Sequence, residues 1–192
     1  MPERSGQKKA SSSIQIPGSF EFVLRCVEDQ YHSTLKEISD SSPTLLIFLR
    51  NFGCCFCREA LSDIHYSLPN IEAAGVRLVL VHMSEEEEAS QILASYGLAD
   101  ISRISNSDRS LYKSFGLGRG SLDKVLVPRV LARAIEAHLH GNLISKSSGD
   151  GLQLPGVFLL HKGRILTSFA PEDVDTRPDY IRIASQASLM LR

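Results

Sequence analysis

Neither sign of charge dominates this chain of 192 residues: 21 Lys and Arg face 22 Asp and Glu, for a formal net charge of −1. A strongly basic nucleic-acid binder or a polybasic membrane binder would carry a clear excess of one sign, so no nucleic-acid partner is expected. Long apolar runs are also missing. Arg, Glu, Pro or Gly interrupts each of them before it approaches the ~18 residues of a membrane-spanning helix, so no membrane partner is expected either. Met1 to Ser13 is polar and lacks an apolar centre, which argues against a secretory signal and makes the cytoplasm the expected compartment. Phosphate-binding signatures are lacking too. Gly116, Gly118 and Gly120 have no following Lys-Ser or Lys-Thr and read as a helix stop and a loop. No nucleotide, flavin or metal is required as cofactor, and no internal repeat is visible.

Cysteine is scarce and unevenly spread. Cys26 stands alone, while Cys54, Cys55 and Cys57 fall within four residues. A disulfide framework would space its cysteines to staple distant loops, whereas this clustering points to redox chemistry or a metal. The chain is long enough for one domain at roughly 150 residues each, and such a domain buries ~70% of its unfolded surface without disulfides.

The pattern along the chain is that of alternating strands and helices. Met1 to Ser13 reads as a disordered tail, and residues 14–192 as a single domain. Ile14 to Leu24 has the spacing of a strand or hairpin arm, and Tyr31 to Ile38 that of a helix ended by Ser41-Ser42-Pro43. Thr44 to Leu49 and Val76 to Met83 are short continuous apolar runs, as expected of strands buried on both faces. Between them, Leu61, Ile64 and Leu68 recur at helical spacing up to Pro69. Ser84 with Glu87 suggests a capping box, and Glu85 to Glu88 fits a solvated first turn; an acidic metal or protein site is the alternative there. Ile101 to Ser105 is a weaker strand, and Asp108 is a cap for a helix ending at Gly116. Pro128 to Leu139 reads as a helix, Ser145 to Leu154 as a loop, Val157 to Phe169 as a hairpin and Tyr180 to Leu189 as a last helix. The fold class is therefore α/β.

The segment Phe48-Leu-Arg-Asn-Phe-Gly-Cys-Cys-Phe-Cys57 carries the chemistry. Cys54 and Cys57 form a C-x-x-C between a buried strand and a helix start. Free N–H groups and the macrodipole of a helix N-terminus favour a thiolate over a thiol and lower a cysteine pKa from about 8.5 into the range ~3.5–7.5. Arg50 and Arg58 flank the pair and add positive charge. A second cysteine one turn away is placed to resolve a sulfenic acid or mixed disulfide. Zinc or iron–sulfur binding is the alternative, with His65, His82 or His161 recruited by folding. Cys26 and Cys55 read as inert packing, and His65 and His82 as structural.

FLRNFGCCFCRE and the later GDGLQLPGVFLLHKGRIL resemble the peroxiredoxin-like 2 group, in the alkyl hydroperoxide reductase and thiol-specific antioxidant branch of the thioredoxin superfamily. The resemblance spans roughly Ser41 to Tyr180. It implies a thioredoxin-like fold, with a central mixed sheet flanked by helices on both faces. It also implies reduction of peroxides or related substrates by Cys54 and Cys57, with thioredoxin or glutathione as electron donor. Some members of this group reduce endoperoxide lipids, and others protein disulfides; a redox sensor or adaptor is the non-enzymatic reading. Ordinary peroxiredoxins keep a Thr three residues before their attacking cysteine, a Pro upstream and an Arg before the hairpin. Aligned on Cys57, this chain has Cys54 at the Thr position, lacks the Pro, and has Leu152-Gln153-Leu154-Pro155 before the hairpin. A thioredoxin-style alignment of the pair, with Cys54 before the helix and Cys57 in its first turn, implies Cys54 as the exposed attacker and Cys57 as the resolver. Pro155 falls where thioredoxins place a cis-proline facing the disulfide; a trans proline opening the strand is the other reading.

Overall fold

The computed structural model describes residues 19–50, 52–53, 55–120, 150–171 and 177–190. The tail Met1 to Ser13, the helix expected from Pro128 to Leu139 and the first half of the Ser145 to Leu154 loop lie outside them. Three parallel strands, β1 (Thr44–Phe48), β2 (Arg77–His82) and β3 (Ser102–Ser105), are joined by α3 (Cys55–Ala73) and α4 (Glu86–Ser95). The antiparallel hairpin β4 (Gly156–His161) and β5 (Arg164–Phe169) completes a five-stranded sheet in the order β3-β2-β1-β4-β5. Two short helices, α1 (Ser19–Cys26) and α2 (Leu35–Ser41), precede β1; α5 (Ser110–Ser114) follows β3, and α6 (Tyr180–Met190) closes the described chain.

Alternation along the central strands builds two cores. Leu45, Ile47, Leu78, Leu80, Val157 and Leu159 point to the face covered by α3, α4 and α6, with Leu61, Ile64, Leu93 and Ala184 packed on them. Leu46, Phe48, Val79, Val81, Phe158 and Leu160 point to the opposite face, covered by α1, α2 and α5. This two-sided burial is why the central strands read as unbroken apolar runs. On the second face, the Phe48 ring lies 4.9–5.6 Å from those of Tyr112, Phe115 and Phe158, in edge-on or tilted geometry.

Four local readings are corrected by the fold. In Ile14 to Leu24, residues 14–18 lie outside the description and the rest forms helix α1, not a strand: Phe20, Val23, Leu24 and Val27 share one face toward the second core. The helix expected from Tyr31 begins only at Leu35, because Thr34 and Glu37 form a reciprocal capping box there. Pro69 does not end α3, which runs on to Ala73; Pro69 is exposed and the buried Ile71 anchors the last turn. Ser84 is not the cap of α4. That position belongs to Glu85, which makes no side-chain cap bond, and the Ser84 carbonyl instead accepts from Ser105 Oγ at 2.8 Å. Within α4, Glu86 pairs with the buried Arg103 of β3, Nε to Oε1 at 2.7 Å. Asp108 does accept the Ser110 N–H at 3.0 Å, although the formal cap is Arg109, in the left-handed region at φ 61°.

The approach to β4 is held by a short ladder. Gly120 N–H donates to Leu152 O at 2.7 Å, and Leu154 N–H to Gly118 O at 3.1 Å. The buried Gln153 side chain donates to the carbonyls of Leu117, Gly118 and Leu154 at 2.9–3.2 Å. Asp150 pairs with both Arg109 and Arg119 at 2.5 and 2.7 Å.

His82, at the end of β2, is 1% exposed. Its Nδ1 sits 3.1 Å from Ser84 O, its Nε2 has no hydrogen-bond partner, and its ring lies 5.5 Å from that of Phe52, in the loop leading to the cysteines. Burial drives its pKa down to about 4, against the weaker pull of Glu86, whose Oε2 stands 3.9 Å away.

Truncating Phe48 to Ala removes the hub of the aromatic cluster and is expected to cost about 3–5 kcal/mol in urea unfolding; a loss below ~1 kcal/mol would show that the rings do not pack as a unit. His82 binds a proton more readily in the unfolded chain, near pH 6.5, than in the folded one. Its contribution is therefore intact above pH 6.5 and is lost as pH falls toward 4, on the order of 3 kcal/mol in all. Unfolding measured between about pH 7 and pH 4 is expected to lose this increment in the wild type but not in His82→Phe.

Candidate functional site

The carboxyl end of β1 leads through Leu49, Arg50, Phe52 and Gly53 to the first turn of α3. A helix started there is pinned by the burial of Leu61 and Ile64, both without exposed surface, so its N-terminal turn sits over the strand ends, where an open α/β sheet offers its crevice. Cys57 lies in that turn, 4% exposed. Cys54 is outside the described residues, as is the side chain of Cys55.

Cys57 lines a cleft together with Phe56, Ala60, Val157 and Phe169. Arg50 and Pro155 line it too. Arg50 is 3% exposed; its Nη1 donates to Gly151 O at 3.1 Å and its guanidinium stands 6.0 Å from the Phe56 ring. Arg58 is not among the lining residues. Its Nε donates to Phe52 O at 2.9 Å, bracing the loop that precedes the pair. Of the expected site residues, the fold thus brings Cys57, Arg50 and Pro155 to one cleft and assigns Arg58 to its support. No cis peptide occurs among the described residues, so the Leu154–Pro155 bond is trans.

Residues without a motif complete the cleft. Arg177, just before α6, places Nη1 3.1 Å from Glu59 Oε1 and donates through Nε to Asp63 Oδ2 at 3.0 Å; its Nη2 reaches the same oxygen. Glu59, Asp63, Arg177 and Tyr180 all line the cleft. Glu59 and Asp63, one turn apart on α3, could have been read as one acidic helix face, but nothing local announces Arg177 or Tyr180. Burial raises the pKa of the Tyr180 phenol, and the charges of Asp63 and Cys57 push it further the same way. Tyr112, on the other side of the sheet end, is likewise raised by burial and then by Cys57; its hydroxyl donates to the carbonyls of Leu49 and Val81.

The remaining candidates lie apart. Cys26 is exposed at the end of α1, not packed in a core. His65 is exposed beside Tyr66, and His82 and His161 belong to separate strands. Among the described residues, no three of His, Cys, Asp and Glu converge to hold a metal ion, and no helix is long and apolar enough to cross a membrane.

Comparison with known proteins agrees with this architecture. A prostamide/prostaglandin F synthase from Xenopus tropicalis is 29% identical over 159 residues, covering 79% of this chain and 75% of that protein. The structure of a cysteine-to-serine mutant of Xylella fastidiosa PrxQ matches 88% of this chain and 92% of its own, with a TM-score of 0.61 at 13% identity. The Xanthomonas campestris bacterioferritin comigratory protein, solved as a trapped intermediate and ligand complex, matches 94% and 95%, with a TM-score of 0.58 at 14% identity. The profile of the AhpC/TSA antioxidant enzymes matches residues 63–173, more than half of the chain, beginning after the cysteine cluster and ending beyond the hairpin. The chain therefore belongs to the AhpC/TSA antioxidant enzyme family, as a peroxiredoxin-like oxidoreductase with a thioredoxin-like fold.

Proposed function

We propose that the protein reduces peroxides, hydrogen peroxide or organic and lipid hydroperoxides, through a Cys54–Cys57 redox centre, with thioredoxin or glutathione restoring the dithiol. The observation that carries this reading is Cys57, held in the first turn of α3 against an apolar cleft that Arg50 and Pro155 also line. Family membership supports antioxidant chemistry; the free N–H groups of the turn and the buried Arg50 guanidinium favour sulfur as an anion.

In the proposed cycle, the Cys54 thiolate attacks the terminal oxygen of ROOH. An S–O bond forms, the O–O bond breaks, and RO⁻ leaves to take a proton from water. Cys57 then attacks the sulfenic sulfur, giving the intramolecular disulfide and water, and a donor dithiol returns both cysteines to the reduced state. Such a cycle needs a compartment whose thiol pool stays reduced, and the cytoplasm meets that need.

A second reading keeps the cysteines and changes the substrate to a lipid endoperoxide. The apolar lining of the cleft favours it, as does the likeness to proteins named prostamide/prostaglandin F synthase. Turnover of hydrogen peroxide, cumene hydroperoxide, a lipid endoperoxide and insulin disulfide, measured side by side, separates the peroxidase from the endoperoxide and protein-disulfide reductases; oxidation-dependent capture of a partner without turnover would mark a sensor.

Cys54→Ser is expected to reduce peroxide consumption to background. Cys57→Ser should still form one dimedone-trapped sulfenic acid per chain, yet lose multiple turnover with a thioredoxin system or glutathione. Wild-type turnover in Cys54→Ser would remove that cysteine from the mechanism.

A further inference from the structure

Asp150 stands at the head of the segment leading into β4 and is not among the residues that line the cleft. Two arginines and a backbone N–H nevertheless converge on its carboxylate, whose side chain is 19% exposed. Arg109 Nη1 lies 2.5 Å and Arg119 Nε 2.7 Å from Oδ2, while Oδ1 accepts from the Leu152 N–H at 3.0 Å and from Arg119 Nη2 at 3.3 Å. Burial opposes the charge, but the Leu152 N–H and the guanidiniums of Arg119 and Arg109 outweigh it and hold the carboxyl below its usual range. The Leu152 N–H shares one peptide group with the Gly151 carbonyl, and that carbonyl accepts from Arg50 Nη1 at 3.1 Å. A trans peptide is planar, with its N–H and C=O pointing opposite ways. Asp150 and Arg50 therefore hold the two ends of a single rigid unit. Arg50, 3% exposed, in turn lines the cleft with Cys57 and sets its guanidinium 6.0 Å from the Phe56 ring.

We infer that Asp150 is a positioning residue of the site: through the Gly151–Leu152 peptide group it fixes where the Arg50 guanidinium stands in the cleft wall. The inference deepens the reading above, in which Arg50 favours sulfur as an anion, and adds no chemical step to it. Gly151 has no side chain to anchor the turn, so the direction of its carbonyl is set by whatever holds the adjoining N–H. Without the carboxylate, Arg109 and Arg119 lose the anion they share and repel one another. The peptide group is then free to turn, and its carbonyl leaves Arg50. A cation fixed in place before the thiol ionises stabilises the thiolate without reorganising; one that moves stabilises it less.

The test reads Cys57 directly. In the full chain carrying Cys54→Ser and Cys55→Ser, the tryptic peptide that ends at Arg58 holds Cys57 as its single cysteine. Its alkylation by iodoacetamide is followed by mass spectrometry against pH, and each variant is also melted. Asp150→Asn and Arg50→Gln are each expected to raise the midpoint by about 1 pH unit, and the two together by no more than either alone. Asp150→Glu, which keeps the charge, should return the midpoint toward that of the parent. Arg119→Gln removes a side chain that is 57% exposed and should move the midpoint the same way by less. An Asp150→Asn chain whose midpoint stays in place, whether or not it melts lower, overturns the positioning role, as do shifts that add in the double variant. A midpoint unmoved by Arg50→Gln overturns both that role and the influence of Arg50 on the sulfur. Cumene hydroperoxide consumption by the wild type is measured separately: its absence overturns the peroxide reading, while the alkylation midpoints still decide the role of Asp150.

Discussion

Everything at the site depends on the packing of α3 across the ends of the parallel strands. Leu61 and Ile64 are sealed against Leu45, Ile47, Leu78 and Leu80, and this burial, not helix propensity, fixes where the helix begins. The first turn then has one place to stand, over the carboxyl end of β1, with Cys57 directed to the cleft. A shift of one residue in α3 would rotate Cys57 by about 100° around the helix axis, out of the cleft and away from Tyr180. The apolar interface of the scaffold is thus also what aims the sulfur.

Much of this frame could be read from the chain. Thr44 to Phe48 and Arg77 to His82 were legible because burial on both faces leaves a continuous apolar string, and the β4–β5 turn is marked by Lys162-Gly163. The strand-to-helix corner that carries Cys57 was legible because a buried apolar run is followed by helical spacing. Helix α1 was not: over so short a span, Phe20, Val23 and Leu24 suit a strand as well as a helix, and only the core they meet decides between them. Pro69 misleads for a related reason. Its missing N–H and ring cost a helix ~3 kcal/mol, but here the turn is solvated and Ile71 restores the helix to the core. Capping failed at Ser84 because α4 begins one residue later than the motif implies, at Glu86, with Glu85 as its cap residue.

Arg50 and Arg58 show where local reasoning stops. Both flank the cysteines, Arg50 four positions before Cys54 and Arg58 directly after Cys57, and charge alone does not tell their contributions apart. Strand register turns Arg50 into the cleft wall, with Gly151 O and the Phe56 face around it, whereas helix phase sends Arg58 back to the Phe52 carbonyl. Tyr180 and Arg177 are further still from prediction, because their contacts with α3 join the two ends of the domain. No period or motif encodes such a meeting; it exists only once the sheet has set α6 beside α3.

The charges around the cleft suggest how it would choose among peroxides. Glu59, Asp63 and Arg177 are tied to one another, so what the cleft offers a bound molecule beside Cys57 and Arg50 is chiefly hydrocarbon wall. Only a hydroperoxide with an apolar tail can use the walls. Burying about 100 Å² of such a tail is worth about 2.5 kcal/mol at ~25 cal/mol per Å², some sixtyfold in affinity by RT ln K arithmetic. Hydrogen peroxide, with nothing to bury, forgoes all of it. Preference for organic over hydrogen peroxide would then come from Phe56, Val157 and Phe169, so that mutation of these walls should change the two activities unequally.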